Sequence, residues 1–223
     1  MSSIPDPVKA PESPNTKIWR YMDFAKFISL LDTQSLFFSR SDLLGDSFEF
    51  TYPKANYNAF NDTQLSKNNE FFLWASRTFA KELFVNCWHM NEYESTAMWG
   101  LYPKSDRGIA IQSTYSRLRA SLRDCPYKNR LNIGMVNYVN YELDRINDKN
   151  ILQFIFHKRI QFTHETELRA VIWLTSTDAP LIAYNQETVK EPENAPAGLI
   201  VPVKLEELIE KIYISPKAPS WFG

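Results

Sequence analysis

The run Glu167-Leu168-Arg169-Ala170-Val171-Ile172-Trp173-Leu174 is the strongest strand signal in the chain. Branched and aromatic side chains suit a pleated, buried strand. This segment opens on charge instead of a turn. Extended backbone from residue 165 sets Glu165, Glu167 and Arg169 on one face and Thr166, Leu168 and Ala170 on the other. Two carboxylates and a guanidinium at the mouth of an apolar strand are costly unless they are paired or used. The fold therefore has to put residues 170–174 in its central sheet and give the charged head a purpose.

Short strands and short helices surround this segment. The patterns predict strands over 18–21, 35–39, 84–88, 108–112, 132–141, 199–203 and 211–215, and a shorter one near 181–184. They predict helices from Asp23, as N-cap, to residue 31, and over 66–83, 94–102, 114–123, 148–161 and 205–210. The elements do not alternate strictly. That order favours one α+β domain with a mixed, mostly antiparallel sheet and flanking helices over a doubly wound parallel sheet. Residues 1–16 carry Pro5, Pro7, Pro11 and Pro14, which disfavour a helix, so a flexible tail is expected ahead of a domain at 17–223.

Composition narrows the function. The 25 basic and 26 acidic side chains leave no overall field to hold nucleic acid. The six glycines form neither a phosphate-loop motif nor a G-x-G-x-x-G turn. Cys87 and Cys125 form no C-x-x-C pair and no disulfide framework. No apolar run has the length of a membrane span, and the N-terminus lacks a signal-peptide core, so a cytoplasmic protein without membrane contact is expected. Aromatic residues are 14% of the chain, enough that some rings can line a cleft.

Three polar clusters are candidates for a site. The first is Ser39, Asp46 and Glu49, in and after a strand, where the acids either line a site or cap turns. The second holds Cys87-Trp88-His89 and then Trp99 and Tyr102. Cys87 and His89 share a strand face with no evident group to orient the imidazole, so an inert thiol is expected, with Trp88 in the core. Trp99 and Tyr102 fall on one helical face, as core or as a stacking platform. The third is Lys158 with Glu165, Glu167 and Arg169: a surface ladder, or a catalytic carboxylate at a strand mouth with charged neighbours that set its pKa. Three histidines without an H-E-x-x-H motif give no metal site. Glu167-Leu168-Arg169 stands where a nuclease of the D…E-x-K kind has Lys, and Arg does not readily give up a proton.

The ordered motifs Lys17-Ile18-Trp19-Arg20-Tyr21, Leu36-Phe37-Phe38-Ser39, Asp46-x-x-Glu49, Cys87-Trp88, Glu94-Ser95, Met98-Trp99, Tyr102, Gly108-Ile109-Ala110-Ile111, Lys158-Arg159, Phe162, Glu165-x-Glu167-x-Arg169 and Ile214-Ser215-Pro216 span the chain from about Lys17 onward. In this order they resemble the bacterial and phage family known as domain of unknown function 2971. Arg20 or Tyr21 on a first strand and Glu165-x-Glu167 on a late one also resemble ADP-ribosyltransferase-like domains, although the H-Y pair and the S-T-S strand of that pattern are missing. That second resemblance implies an enzyme acting on NAD. Glu167 would be the catalytic carboxylate, Glu165 the base that activates an acceptor, and Arg20 the partner of the pyrophosphate. Tyr21, Ser39, Asp46, Glu49, Trp99, Tyr102, Lys158 and Arg169 would bind ligand. The acceptor would be a protein or nucleic acid, in a setting such as phage defence. Glu167→Gln would then be expected to remove activity and spare the fold. The other readings are a metal-dependent nucleic-acid-processing enzyme and a non-catalytic module that senses a nucleotide or holds a partner.

Overall fold

The computed structural model describes residues 8–56, 78–146, 152–174 and 196–222. In chain order they form β1 (Lys17–Asp23), α1 (Phe24–Thr33), β2 (Ser35–Arg40), β3 (Leu83–Met90), α2 (Thr96–Leu101), β4 (Gly108–Thr114), α3 (Tyr115–Ser121), β5 (Leu131–Met135), β6 (Asn137–Val139), α4 (Leu152–Ile155), β7 (His157–Arg159), β8 (Glu167–Trp173), β9 (Gly198–Pro202), α5 (Leu205–Leu208) and β10 (Lys211–Ile214). The expected α+β class is observed. Among the described residues, no helix is long and apolar enough to cross a membrane.

Eight strands form one antiparallel sheet, and β6 and β7 form a small parallel pair. β3 is the hub. One of its edges pairs with β8 from Leu83↔Trp173 to His89↔Glu167. Its other edge is divided. β1 meets it at Ile18↔Met90 and Trp19↔His89, and β2 meets it at Ser39↔Val85 and Arg40↔Phe84. Between those contacts, among the described residues, Asn86, Cys87 and Trp88 have no strand partner on that edge, and the sheet forks.

The alternation of β8 supplies both of its buried faces. Leu168, Ala170 and Ile172 join a core with Phe38, Trp88 and Ile111 under α1 and α3. Val171 joins Leu83, Val85, Phe154 and Phe156 on the other side. Glu167 and Arg169 share the parity of Val171, so they enter the protein on that second side.

Local chemistry sets the ends of the helices. The Ser95 and Thr114 hydroxyls accept backbone N–H groups of Met98 and Arg117 and so cap α2 and α3. Asp23 is extended but caps nothing with its side chain; its carboxylate accepts the Lys104 N–H at 2.6 Å. Gln34, in the left-handed conformation, ends α1.

Three expectations are corrected. Residues 8–16 are docked, not flexible: Lys9 O accepts the Met135 N–H and Pro14 O accepts the Ser116 N–H. A Cβ at Gly134 would come within 2.8 Å of Val8, so glycine there lets this segment lie close. The helix expected over 148–161 is described only at Leu152–Ile155, and Lys158 and Arg159 lie on β7. There Lys158 meets Glu165 and Glu167, a few residues further along, and Arg159 meets Asp46, 113 residues away, contacts that the local helical pattern does not encode. The strand expected over 132–141 is two strands, because the Val136 N–H turns to Glu167 O. The strand expected near 181–184 and most of the helix expected over 66–83 lie outside the described residues.

Candidate functional site

The fork opens into a cleft of about 650 Å³, a size suited to a small molecule. It is lined from both faces of the sheet. Val85, Cys87 and His89 of β3 contribute from one face and Trp88 from the other, with Arg20 and Tyr21 of β1, Phe37 and Ser39 of β2, Tyr102, Glu165 and Glu167 around them. The fork's free backbone is met by side chains: Arg20 donates to Cys87 O at 2.6 Å and Asn86 Nδ2 donates to Phe37 O at 2.9 Å.

A buried ionic network closes one end. Lys158 Nζ donates to Glu165 at 2.6 Å and to Glu167 at 2.5 Å, and lies 3.5 Å from Glu49. Arg169 Nε donates to the second Glu167 oxygen at 2.7 Å, and its terminal nitrogens hold both Glu49 oxygens at 3.0 and 2.8 Å. Arg169 also donates to Ile155 O. Three carboxylates thus face two cations. One excess negative charge in a buried cluster is expensive, and a proton removes it.

Glu165 takes that proton. Burial and a hydrogen bond to Glu167 push its carboxyl up to about 7, against the pull of Lys158. Burial acts on Glu167 in the same direction, but the Arg169 guanidinium outweighs it and holds Glu167 well below the usual carboxylate range. Lys158 would be lowered by burial, yet its acidic neighbours, Glu167 foremost, raise it. Glu165 ends a 3-10 turn and is followed by Thr166 at φ 40°, rather than lying on the extended face with Glu167 and Arg169 as expected. A branched residue there costs on the order of 1–3 kcal/mol. That turn swings Glu165 back beside Glu167.

His89 stands opposite Glu167 on β3. Its Nδ1 lies 2.6 Å from Glu165 O. A carbonyl only accepts, so Nδ1 carries the hydrogen and the neutral ring leaves Nε2 as a bare acceptor. That atom is buried and has no hydrogen-bond partner among the described residues. Burial lowers the His89 pKa, which keeps the ring neutral. Sequence reasoning missed this role because the orienting group is a backbone carbonyl 76 residues away. Burial pushes the Cys87 thiol up to about 12, so it is no nucleophile.

The remaining expected site residues divide. Glu49, Lys158 and Arg169 stand behind the lining Glu167. Tyr21 and Ser39 line the cleft, and the Tyr21 oxygen accepts the Ser95 N–H. Tyr102, 42% exposed, stands at the cleft. Trp99 parts from it: it packs edge-on against Tyr21 and donates to Glu94. Asp46 is not in the cleft lining, and both of its oxygens hold Arg159, whose guanidinium lies over the Phe48 and Phe162 rings. Among the described residues, no group of three or more His, Cys, Asp and Glu side chains is arranged to hold a metal.

Comparison with family models, with curated proteins and with solved structures gave no match.

Proposed function

We propose that the forked cleft is the active site of an enzyme acting on NAD, in the manner of the ADP-ribosyltransferase-like domains that the sequence resembles. The observation that carries this reading is the Glu165–Glu167 pair at a cleft that also holds Arg20. Cleavage of the bond between nicotinamide and ribose builds positive charge on the sugar, and a cluster of buried carboxylates stabilises it. The bonding electron pair leaves with nicotinamide. The incoming acceptor forms its bond to the same ribose carbon and gives its proton to ionised Glu165.

This assigns contact with substrate to Glu165. Glu167, with both oxygens held by Lys158 and Arg169, becomes the positioning charge. In this reading the neutral His89 ring, which lines the cleft, steadies the Glu165 backbone through Nδ1. The metal-dependent nuclease reading fits less well, because Glu49, Glu165 and Glu167 already have cationic partners that a metal would have to displace.

The test is release of nicotinamide by the purified chain, with and without protein or nucleic-acid acceptors. Wild type should consume NAD with a rate that rises through about pH 7, as Glu165 ionises. Glu165→Gln should lower the rate about 100-fold or more while the fold persists. Binding of NAD without any turnover would leave a nucleotide-sensing module instead.

A further inference from the structure

A second cavity of about 320 Å³ adjoins the cleft between α1 and the β2–β9 edge. Arg20, Met22, Lys26 and Phe37 line both cavities, so the two spaces are adjacent and share a wall. The shared wall is cationic and the two ends differ. The fork end carries Glu165 and Glu167. The α1 end carries Ser29, Thr33 and Ser35 beside the apolar Leu30 and Leu36. Its outer wall is Phe37 and Ile200, cross-strand neighbours that are 51% and 65% exposed.

Arg20 is the unusual member of that wall. It reaches over Trp88 and donates to Cys87 O, and among the described residues no carboxylate pairs with it. A half-buried guanidinium without a counter-charge keeps further N–H donors in the geometry that suits phosphate oxygens.

We infer that the α1–β2–β9 cavity is a nucleoside-monophosphate subsite. Arg20 and Lys26 hold phosphate at the junction of the two cavities, and the base of the adenosine half rests against Phe37 and Ile200. The placement of a dinucleotide across both cavities rests on the NAD reading above; the subsite for AMP does not. An apolar wall with hydroxyls opposite suits a flat base and a ribose. The cationic junction then lies where the pyrophosphate of a dinucleotide crosses from one cavity to the other.

The experiment measures calorimetric binding of AMP, nicotinamide mononucleotide and NAD to the full chain and to variants that block the subsite from opposite walls, Ser29→Trp and Ile200→Trp. Both positions are exposed, and circular dichroism checks each fold. AMP affinity should fall about tenfold or more in both variants, and NAD affinity with it, while nicotinamide mononucleotide stays within about twofold. Arg20→Gln should weaken all three. Unchanged AMP affinity in both folded blocking variants overturns the inference, as does failure of wild type to bind AMP at millimolar concentration. Loss of AMP binding in the variants, with no NAD turnover by wild type, upholds the subsite and overturns the enzymatic reading alone.

Discussion

The two edges of β3 have the same backbone and meet different fates. Along one edge β8 pairs with seven consecutive residues, and the charges it brings in are answered: Arg169 by Glu49 and Glu167, Glu167 also by Lys158. Along the other edge β1 and β2 touch only the ends, and Arg20 stands in the gap with no carboxylate pairing it among the described residues. A balanced buried network holds the fold together. An unbalanced one stores a demand for a ligand. Glu165 lies where the two regions meet, and burial with Glu167 beside it raises its proton affinity.

The comparison breaks most visibly at Arg169. Arg169→Met leaves the buried Glu49 and Glu167 with Lys158 as their remaining cation, and unfolding by urea should show a loss of about 3–5 kcal/mol. Glu167→Gln is the next largest. The sequence alone suggested that this change would spare the fold, but Glu167 is 3% exposed and bridges Lys158 to Arg169. The same measurement should give a loss of about 2 kcal/mol or more. A variant as stable as wild type would place Glu167 outside the structural network.

The pH dependence sharpens the boundary between the two regions. The folded value of Glu165, about 7, lies above its ordinary 4.5, so the folded protein holds a proton that the unfolded chain releases in between. The stability this adds is full below 4.5 and is lost as pH rises through about 7. Glu167 has the opposite sign: its contribution is present above 4.5 and is lost as pH falls toward its depressed value. The melting temperature of wild type should therefore drop between about pH 5 and about pH 8, and that of Glu165→Gln should stay level. A drop of equal size in the variant would assign the titration to another group.

The smallest effect on stability is expected at the fork. Arg20→Gln gives up the hydrogen bond to Cys87 O but also removes a half-buried charge that no carboxylate among the described residues pairs, so stability should change by no more than about 1 kcal/mol. Phosphate-bearing ligands should still be lost. A cost like that of Arg169→Met would mean that Arg20 is a structural cation after all.

The sequence by itself determined the α+β class, most strands to within a few residues, and the importance of the charged head of β8. These are legible because alternation and helical spacing are local, and because charge at an apolar strand stands out in one dimension. Residues 8–16 misled, since prolines forbid a helix but not docking, and so did residues 158 and 159, whose helical spacing did not foretell their pairing with Glu165, Glu167 and Asp46. The division of labour was tertiary. Glu165 and Glu167 have the same side chain two positions apart, yet one gains a proton and the other cannot keep one. The difference is made by Arg169, by Lys158 arriving on β7, and by Glu49, 120 residues from Arg169 in the chain. His89 became a bare acceptor only when Glu165 O met its Nδ1. Arg20, with no carboxylate pairing it among the described residues, stands where β1 and β2 part along β3. Electrostatic energy depends on distance and burial, and both are set by the folded chain rather than by the spacing of residues along it.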